Sequence, residues 1–147
     1  MSKPRVVADI MTRDLITVHE EDNLQEVQSD MNIFRKRHLP VVDGDRLVGL
    51  LSHRDLLRMS TGSLERNSFM DAIDAERKGE TFVAEVMTRD LVTTTPQTPL
   101  AEAARTLANS FHGCLPVVDE QDRLVGMVTE HDFVLLAARL LENDSSL

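Results

Sequence analysis

Leu39-Pro40-Val41-Val42-Asp43-Gly44-Asp45-Arg46-Leu47-Val48-Gly49-Leu50-Leu51-Ser52-His53-Arg54-Asp55 is the stretch on which the fold turns. Two apolar runs, Leu39 to Val42 and Leu47 to Leu51, flank Asp43-Gly44-Asp45-Arg46. That pattern predicts a β-hairpin. Ser52 then opens a helix through Met59. The stretch returns as Leu115-Pro116-Val117-Val118-Asp119, 76 residues later, and as Arg123-Leu124-Val125-Gly126, 77 residues later. The second copy has gained one residue in Asp119-Glu120-Gln121-Asp122, where a loop absorbs it. Its last phrase is Gly126-Met127-Val128-Thr129-Glu130-His131-Asp132, and a longer helix is predicted from Thr129 to about Leu141.

Outward from the hairpins the repeat continues. Val7-Ala8-Asp9-Ile10-Met11-Thr12-Arg13-Asp14-Leu15 returns as Val83-Ala84-Glu85-Val86-Met87-Thr88-Arg89-Asp90-Leu91. Leu15-Ile16-Thr17-Val18 reads as a short β-branched strand. Asp22 or Asn23 offers a helix cap, and Leu24, Val27, Met31 and Phe34 fall on one helical face. The second copy offers Thr98 as cap, Pro99 in the first turn, and Leu100, Ala103, Ala104 and Leu107 as the apolar face. Each copy thus reads strand, helix, strand, strand, helix. The fold class is α/β, two repeats about a pseudo-twofold axis, at residues 7–60 and 83–140. Residues 61–82 read as a partly helical surface connector, with a charged amphipathic stretch from Leu64 to Lys78, and residues 143–147 as a frayed end. A half of this size is marginal alone, so the two halves are expected to share a core.

Composition narrows the function. The net charge is −9, with 10 basic against 14 acidic side chains in residues 1–76 and 6 against 11 in residues 77–147. Nucleic-acid and anionic-membrane binding need a positive footprint and are disfavoured. The chain has no Trp and no Tyr, so a bound base would sit against aliphatic groups. No apolar run is long enough to span a membrane. Met1-Ser2-Lys3-Pro4-Arg5 leads into no signal-peptide core, and a lone Cys114 suggests a reducing compartment. The expected location is the cytoplasm.

Ser52-His53-Arg54-Asp55 and Thr129-Glu130-His131-Asp132 sit where a strand hands over to a helix. Two readings stand side by side. The hydroxyl and the carboxylate three residues on can form a capping box. The same pair can hold a ligand, the carboxylate accepting from two adjacent ribose hydroxyls beside the helix N–H groups. Rival chemistries are weak. His19, His38, His53, His112 and His131 lack metal-site spacing, so neither metal nor obligatory cofactor is expected. Cys114 reads as a small space filler, and Met11, Met31, Met59 and Met87 as core.

The combination of Leu-Pro-Val-Val-Asp, Leu-Val-Gly and Gly-x-x-Ser/Thr-x-x-Asp in a strand-helix-strand-strand-helix unit resembles the CBS domain, the cystathionine β-synthase domain. Two in tandem resemble a stand-alone CBS pair, or Bateman module. The resemblance implies a non-enzymatic sensory module that binds AMP, ADP, ATP or S-adenosylmethionine in clefts between the repeats and signals to an effector protein. It implies ribose contacts at Ser52 with Asp55 and at Thr129 with Asp132. The adenine slots would be Thr12, Ile16 and Lys36 for one ligand and Thr88, Val92 and His112 for the other. Phosphates would meet Arg37, His38 and Arg54 in the first copy and His131 in the second, where Gly113 and Cys114 replace Arg37 and His38. The two clefts should therefore grip phosphate differently. The solvated alternative for Arg35 to His38 is a set of cations at a helix C-terminus. The long apolar final helix, with Phe133, Val134, Leu136, Leu140 and Leu141, is expected to form a homodimer. The alternative function is a structural or interaction dimer without a small-molecule ligand.

Overall fold

The computed structural model describes residues 3–59 and 80–144. The expected Leu64–Lys78 amphipathic stretch and the side chain of Met59 lie outside the described residues. The chain divides into two compact units. One is contiguous, Ile16–Leu91; the other is composite, Met1–Leu15 with Val92–Leu147. Each unit joins the helix and hairpin of one repeat to the leading segment of the other.

In the contiguous unit, α1 (Leu24–Phe34) precedes the antiparallel pair β1 (His38–Asp43) and β2 (Arg46–Ser52). Next comes α2 (His53–Met59), and the unit closes with the short helix α3 (Val83–Val86). The Asn23 Oδ1 accepts from the Glu26 N–H at 2.9 Å and caps α1. Arg35, in the left-handed region at φ 55°, ends the helix. Gly44 at φ +65° takes the first of the two hairpin turn positions, where a primed turn demands glycine. The register skips Val48 opposite Val41 and Val42, a bulge that adds local twist.

The core of this unit combines Leu24, Val27 and Met31 of α1 with Val18, Leu39, Val41, Leu51 and Leu56. Val83 and Met87, from the second repeat's leader, complete it. Two sequence expectations change here. Phe34 is 52% exposed, because α1 stops at Phe34 and the core beneath it ends one turn earlier at Met31. The strand expected at Leu15 to Val18 shrinks to one bridge, Val18 against Val41. Only Val18 meets β1 there, its N–H donating to the Pro40 carbonyl and its carbonyl accepting from the Val42 N–H.

The composite unit repeats the plan. A 3-10 turn at Val7–Asp9 is followed, after the contiguous unit, by α4 (Leu100–Ala108). The antiparallel pair β3 (Cys114–Val118) and β4 (Leu124–Thr129) leads into α5 (Glu130–Glu142). The core holds Val7, Met11, Ala103, Leu107, Leu115, Val117 and Val128. Pro99, not Thr98, is the N-cap of α4, and no side chain caps it. The Arg5 carbonyl accepts from the Leu100 N–H at 3.0 Å, while the Thr98 hydroxyl accepts from the Thr95 N–H. The extra loop residue is absorbed by Asp119, which accepts from the N–H groups of Gln121 and Arg123 and from the Arg123 guanidinium. Desolvation works to raise the Asp119 carboxyl, but these donors outweigh it and hold it below the usual carboxylate range. Among the described residues no helix is long and apolar enough to cross a membrane.

Candidate functional site

A methionine lying over a glycine seats each threonine of the Met-Thr phrases. In the contiguous unit a Cβ built on Gly49 would fall 2.6 Å from Met87 Sδ. Only a bare Cα leaves room for the thioether. Thr88 then exchanges both backbone hydrogen bonds with Leu50, at 3.0 and 2.9 Å. That fixes Thr88 beside the end of β2, two residues before Ser52. The composite unit repeats the device. A Cβ on Gly126 would fall 2.7 Å from Met11 Sδ, and Thr12 exchanges two bonds of 2.9 Å with Met127. Each threonine thus stands near the hydroxyl–carboxylate pair of the other repeat.

The capping reading of those pairs is realised. Asp55 Oδ2 accepts from the Ser52 N–H at 2.8 Å and from the Ser52 hydroxyl at 2.9 Å; the Ser52 Oγ accepts from the Asp55 N–H. Asp132 Oδ2 accepts from the Thr129 N–H at 2.9 Å, and Thr129 Oγ1 accepts from the Asp132 N–H. Both carboxylates fold back onto their own chain. All these bonds use Oδ2, and Oδ1 of each aspartate makes no hydrogen bond to another described residue. The same carboxylate can cap with one oxygen and accept ligand hydroxyls with the other. The two pairs differ in burial. Ser52 and Asp55 are buried at 7% and 9% exposure, whereas Thr129 and Asp132 are half-buried.

A second backbone link braces each pair. The Arg37 carbonyl accepts from the His53 N–H at 2.7 Å, and the Gly113 carbonyl accepts from the Glu130 N–H at 3.0 Å. The segment before each hairpin is thereby tied to the first turn of the following helix. Arg37, Lys36 and Arg54 are exposed and His38 is half-buried. Lys36 donates its backbone N–H to the Met31 carbonyl at the end of α1. His131 is exposed, Val92 is exposed and irregular, and His112 is half-buried with its N–H donated to the Ser110 hydroxyl.

The contiguous unit therefore gathers Ser52, Asp55, Thr88 and the Arg37 backbone; the composite unit gathers Thr12, Thr129 and Asp132. Ile16 and Lys36 belong to the contiguous unit, and Val92 and His112 to the composite one. Thr12 and Thr88 thus fall in a different unit from the other members of their expected slots. Beside Asp132 the composite unit opens a cleft of about 300 Å³, lined by Ile10, Leu135, Leu136 and Arg139. Ile10 and Arg139 were not among the expected site residues. Neither the helical spacing of Arg139 from Asp132 nor the place of Ile10 ahead of Met11 carries a chemical signature in sequence.

The cysteine and the core methionines are packing groups. Burial pushes the Cys114 thiol up to about 12, so it stays protonated and inert at neutral pH. Met11, Met31 and Met87 are buried. Among the described residues no group of three His, Cys, Asp or Glu side chains could hold a metal ion.

The CBS domain family model matches residues 7–62 and 83–139. A CBS domain-containing protein of Dictyostelium discoideum is 34% identical over 140 residues, spanning 93% of this chain and 94% of that protein. Several other curated relatives are longer, and the chain spans 22% to 45% of their length. The solved CBS-pair protein CBSX2 from Arabidopsis thaliana matches with a TM-score of 0.81 at 27% identity, over 95% of this chain and 98% of that one. CBSX2 has also been solved in complex with AMP, where the TM-score is 0.77. The CBS domain pair of protein MJ0100, solved with 5′-methylthioadenosine and S-adenosyl-L-methionine, is 27% identical. Its TM-score is 0.72, and the match covers 92% of this chain and 98% of that one. Two matched copies over most of the sequence make this chain a tandem pair of CBS domains and a member of the CBS-domain family.

Proposed function

We propose that the chain is a regulatory module that binds adenosine-containing ligands, AMP, ADP, ATP or S-adenosylmethionine, and passes the ligand state to an effector protein. The observation that carries this reading is the pair of hydroxyl–carboxylate turns. Each keeps one carboxylate oxygen without a hydrogen bond to another described residue, and each has a threonine of the other repeat beside it. The complexes of CBSX2 and MJ0100 supply the ligand class by similarity. In this reading Ser52 with Asp55, and Thr129 with Asp132, hold the ribose diols. Thr12, Ile16 and Lys36, and Thr88, Val92 and His112, contribute to the adenine slots through backbone and aliphatic groups. Arg37, His38 and Arg54 meet phosphate, and His131 is the counterpart of Arg54 in the second repeat. The chain performs no catalysis of its own and works in the cytoplasm. An output follows only if the ligand prefers one conformation over another.

Thermal unfolding tests the reading. A ligand at 100 times its dissociation constant adds about 2.7 kcal/mol to the folded state. AMP, ATP or S-adenosylmethionine should raise the melting temperature, and the double variant Asp55→Ala with Asp132→Ala should lose the shift. A shift that survives both substitutions removes the aspartates from the site.

The second reading, an interaction dimer, draws on α5. Val134, Leu135 and Leu141 are 64%, 57% and 59% exposed. A solvent-facing apolar stripe of this kind suits a second copy. Light scattering behind size exclusion should give a dimer, and Leu135→Glu with Leu141→Glu should give a monomer. A wild-type monomer at tens of micromolar defeats the dimer.

A further inference from the structure

The repeats carry the same backbone brace but opposite charge around it. Arg35, Lys36, Arg37 and Arg54 fall within two residues of the ends of the Arg37–His53 link and bring four fixed cations, against the single carboxylate of Asp55. The matching residues of the second repeat are Phe111, His112, Gly113 and His131, with no fixed cation, and Glu130 joins Asp132 as a second carboxylate.

The exchange is built into the backbone. Gly113 sits at φ +70°, where a side chain is strained. The Glu130 carboxylate lies over it: a Cβ built there would fall 3.3 Å from Glu130 Cδ and 3.4 and 3.6 Å from its two oxygens. An arginine at position 113 would meet that backbone strain and would need the exposed Glu130 side chain to shift by a few tenths of an ångström. The first turn of α5 therefore already carries a full negative charge. That charge exceeds the roughly half charge of a helix N-terminus that would attract an anion. Glu130 directly follows Thr129 in the chain, and charges closer than the screening length, about 8 Å at physiological salt, still act on one another. Arg139 is the opposing cation in the cleft beside Asp132. It stands seven residues further along α5, about 10 Å along the axis, away from the Glu130 end.

We propose that Glu130 sets the ligand charge at the Thr129–Asp132 pocket, admitting adenosine ligands with a neutral or cationic 5′ substituent and rejecting a 5′-phosphate. This rests on the adenosine-binding reading above. Titration calorimetry on the full chain tests it, with AMP and the uncharged 5′-methylthioadenosine as probes and Asp55→Ala silencing the other repeat's pocket. The Asp55→Ala chain should prefer 5′-methylthioadenosine. Adding Glu130→Gln should raise AMP affinity relative to 5′-methylthioadenosine about tenfold. An unchanged ratio in a chain that still binds overturns the role of Glu130 and leaves the pocket standing. So does a ratio that moves with Arg139→Gln instead. Absence of binding by the wild-type chain overturns the pocket and this proposal together. Circular dichroism and the melting temperature of each variant separate loss of binding from loss of fold.

Discussion

Asp55 and Asp132 each cap a turn, and in the proposed function each has a second job at the same carboxylate. Oδ2 satisfies the backbone N–H of the residue that opens the turn, and Oδ1, without a hydrogen bond to another described residue, is the atom proposed to meet a ligand. Removing either side chain should therefore have an effect in the absence of any ligand, since a lost cap is worth about 1 kcal/mol. Urea unfolding of ligand-free Asp132→Ala should show that loss, and a neutral result would mean the turn does not depend on its cap. The Ser/Thr-x-x-Asp spacing made both roles legible in sequence without choosing between them, because the choice depends on which oxygen is occupied. Cys114 is the converse case. It is 2% exposed and its thiol is pushed up to about 12 by burial alone. The folded chain at pH 8 should resist iodoacetamide and the urea-unfolded chain should react, with mass spectrometry as the readout. Rapid labelling of the folded chain would show that β3 opens.

At the scale of elements, the hairpins and the helices after them formed where periodicity and turn residues placed them. The first strand of each repeat did not lengthen beyond one bridge, Val18 to Val41 and Thr94 to Val117. A single β-branched residue facing the core is enough to anchor such a segment, and a β-branched run in sequence cannot show how many residues pair. The glycines of Leu-Val-Gly were read as part of a motif; their physical task is to leave Met87 and Met11 the space that a Cβ would take. Gly126→Val should overpack that junction and destabilise the chain by about 1–3 kcal/mol. It should also unseat Thr12 from Met127 and weaken ligand binding. Gly126→Val together with Met11→Ala should recover part of the stability in chemical denaturation. No recovery would mean the thioether is not the obstacle.

For the whole molecule, the boundaries of the repeats and of the compact units differ. Residues 7–60 form a sequence repeat, but the core of its helix and hairpin is completed by Val83 and Met87. A fragment of residues 16–91 should therefore unfold cooperatively in urea, and a fragment of residues 7–60 should not. Cooperative unfolding of the shorter fragment alone would refute the exchange of leaders. In place of the one shared core expected from the size of each half, the described residues form two cores that exchange leaders: Val7 and Met11 serve the second repeat's core as Val83 and Met87 serve the first. What is local and repeated could be read from the residues alone: the alternation that makes hairpins, the helical faces, the capping phrases and the family they resemble. Tertiary structure alone decided which repeat each leader completes, that Glu130 lies over Gly113, and that Phe34 faces water. These depend on contacts between residues far apart in the chain, and no spacing along one segment encodes which distant surface will cover it.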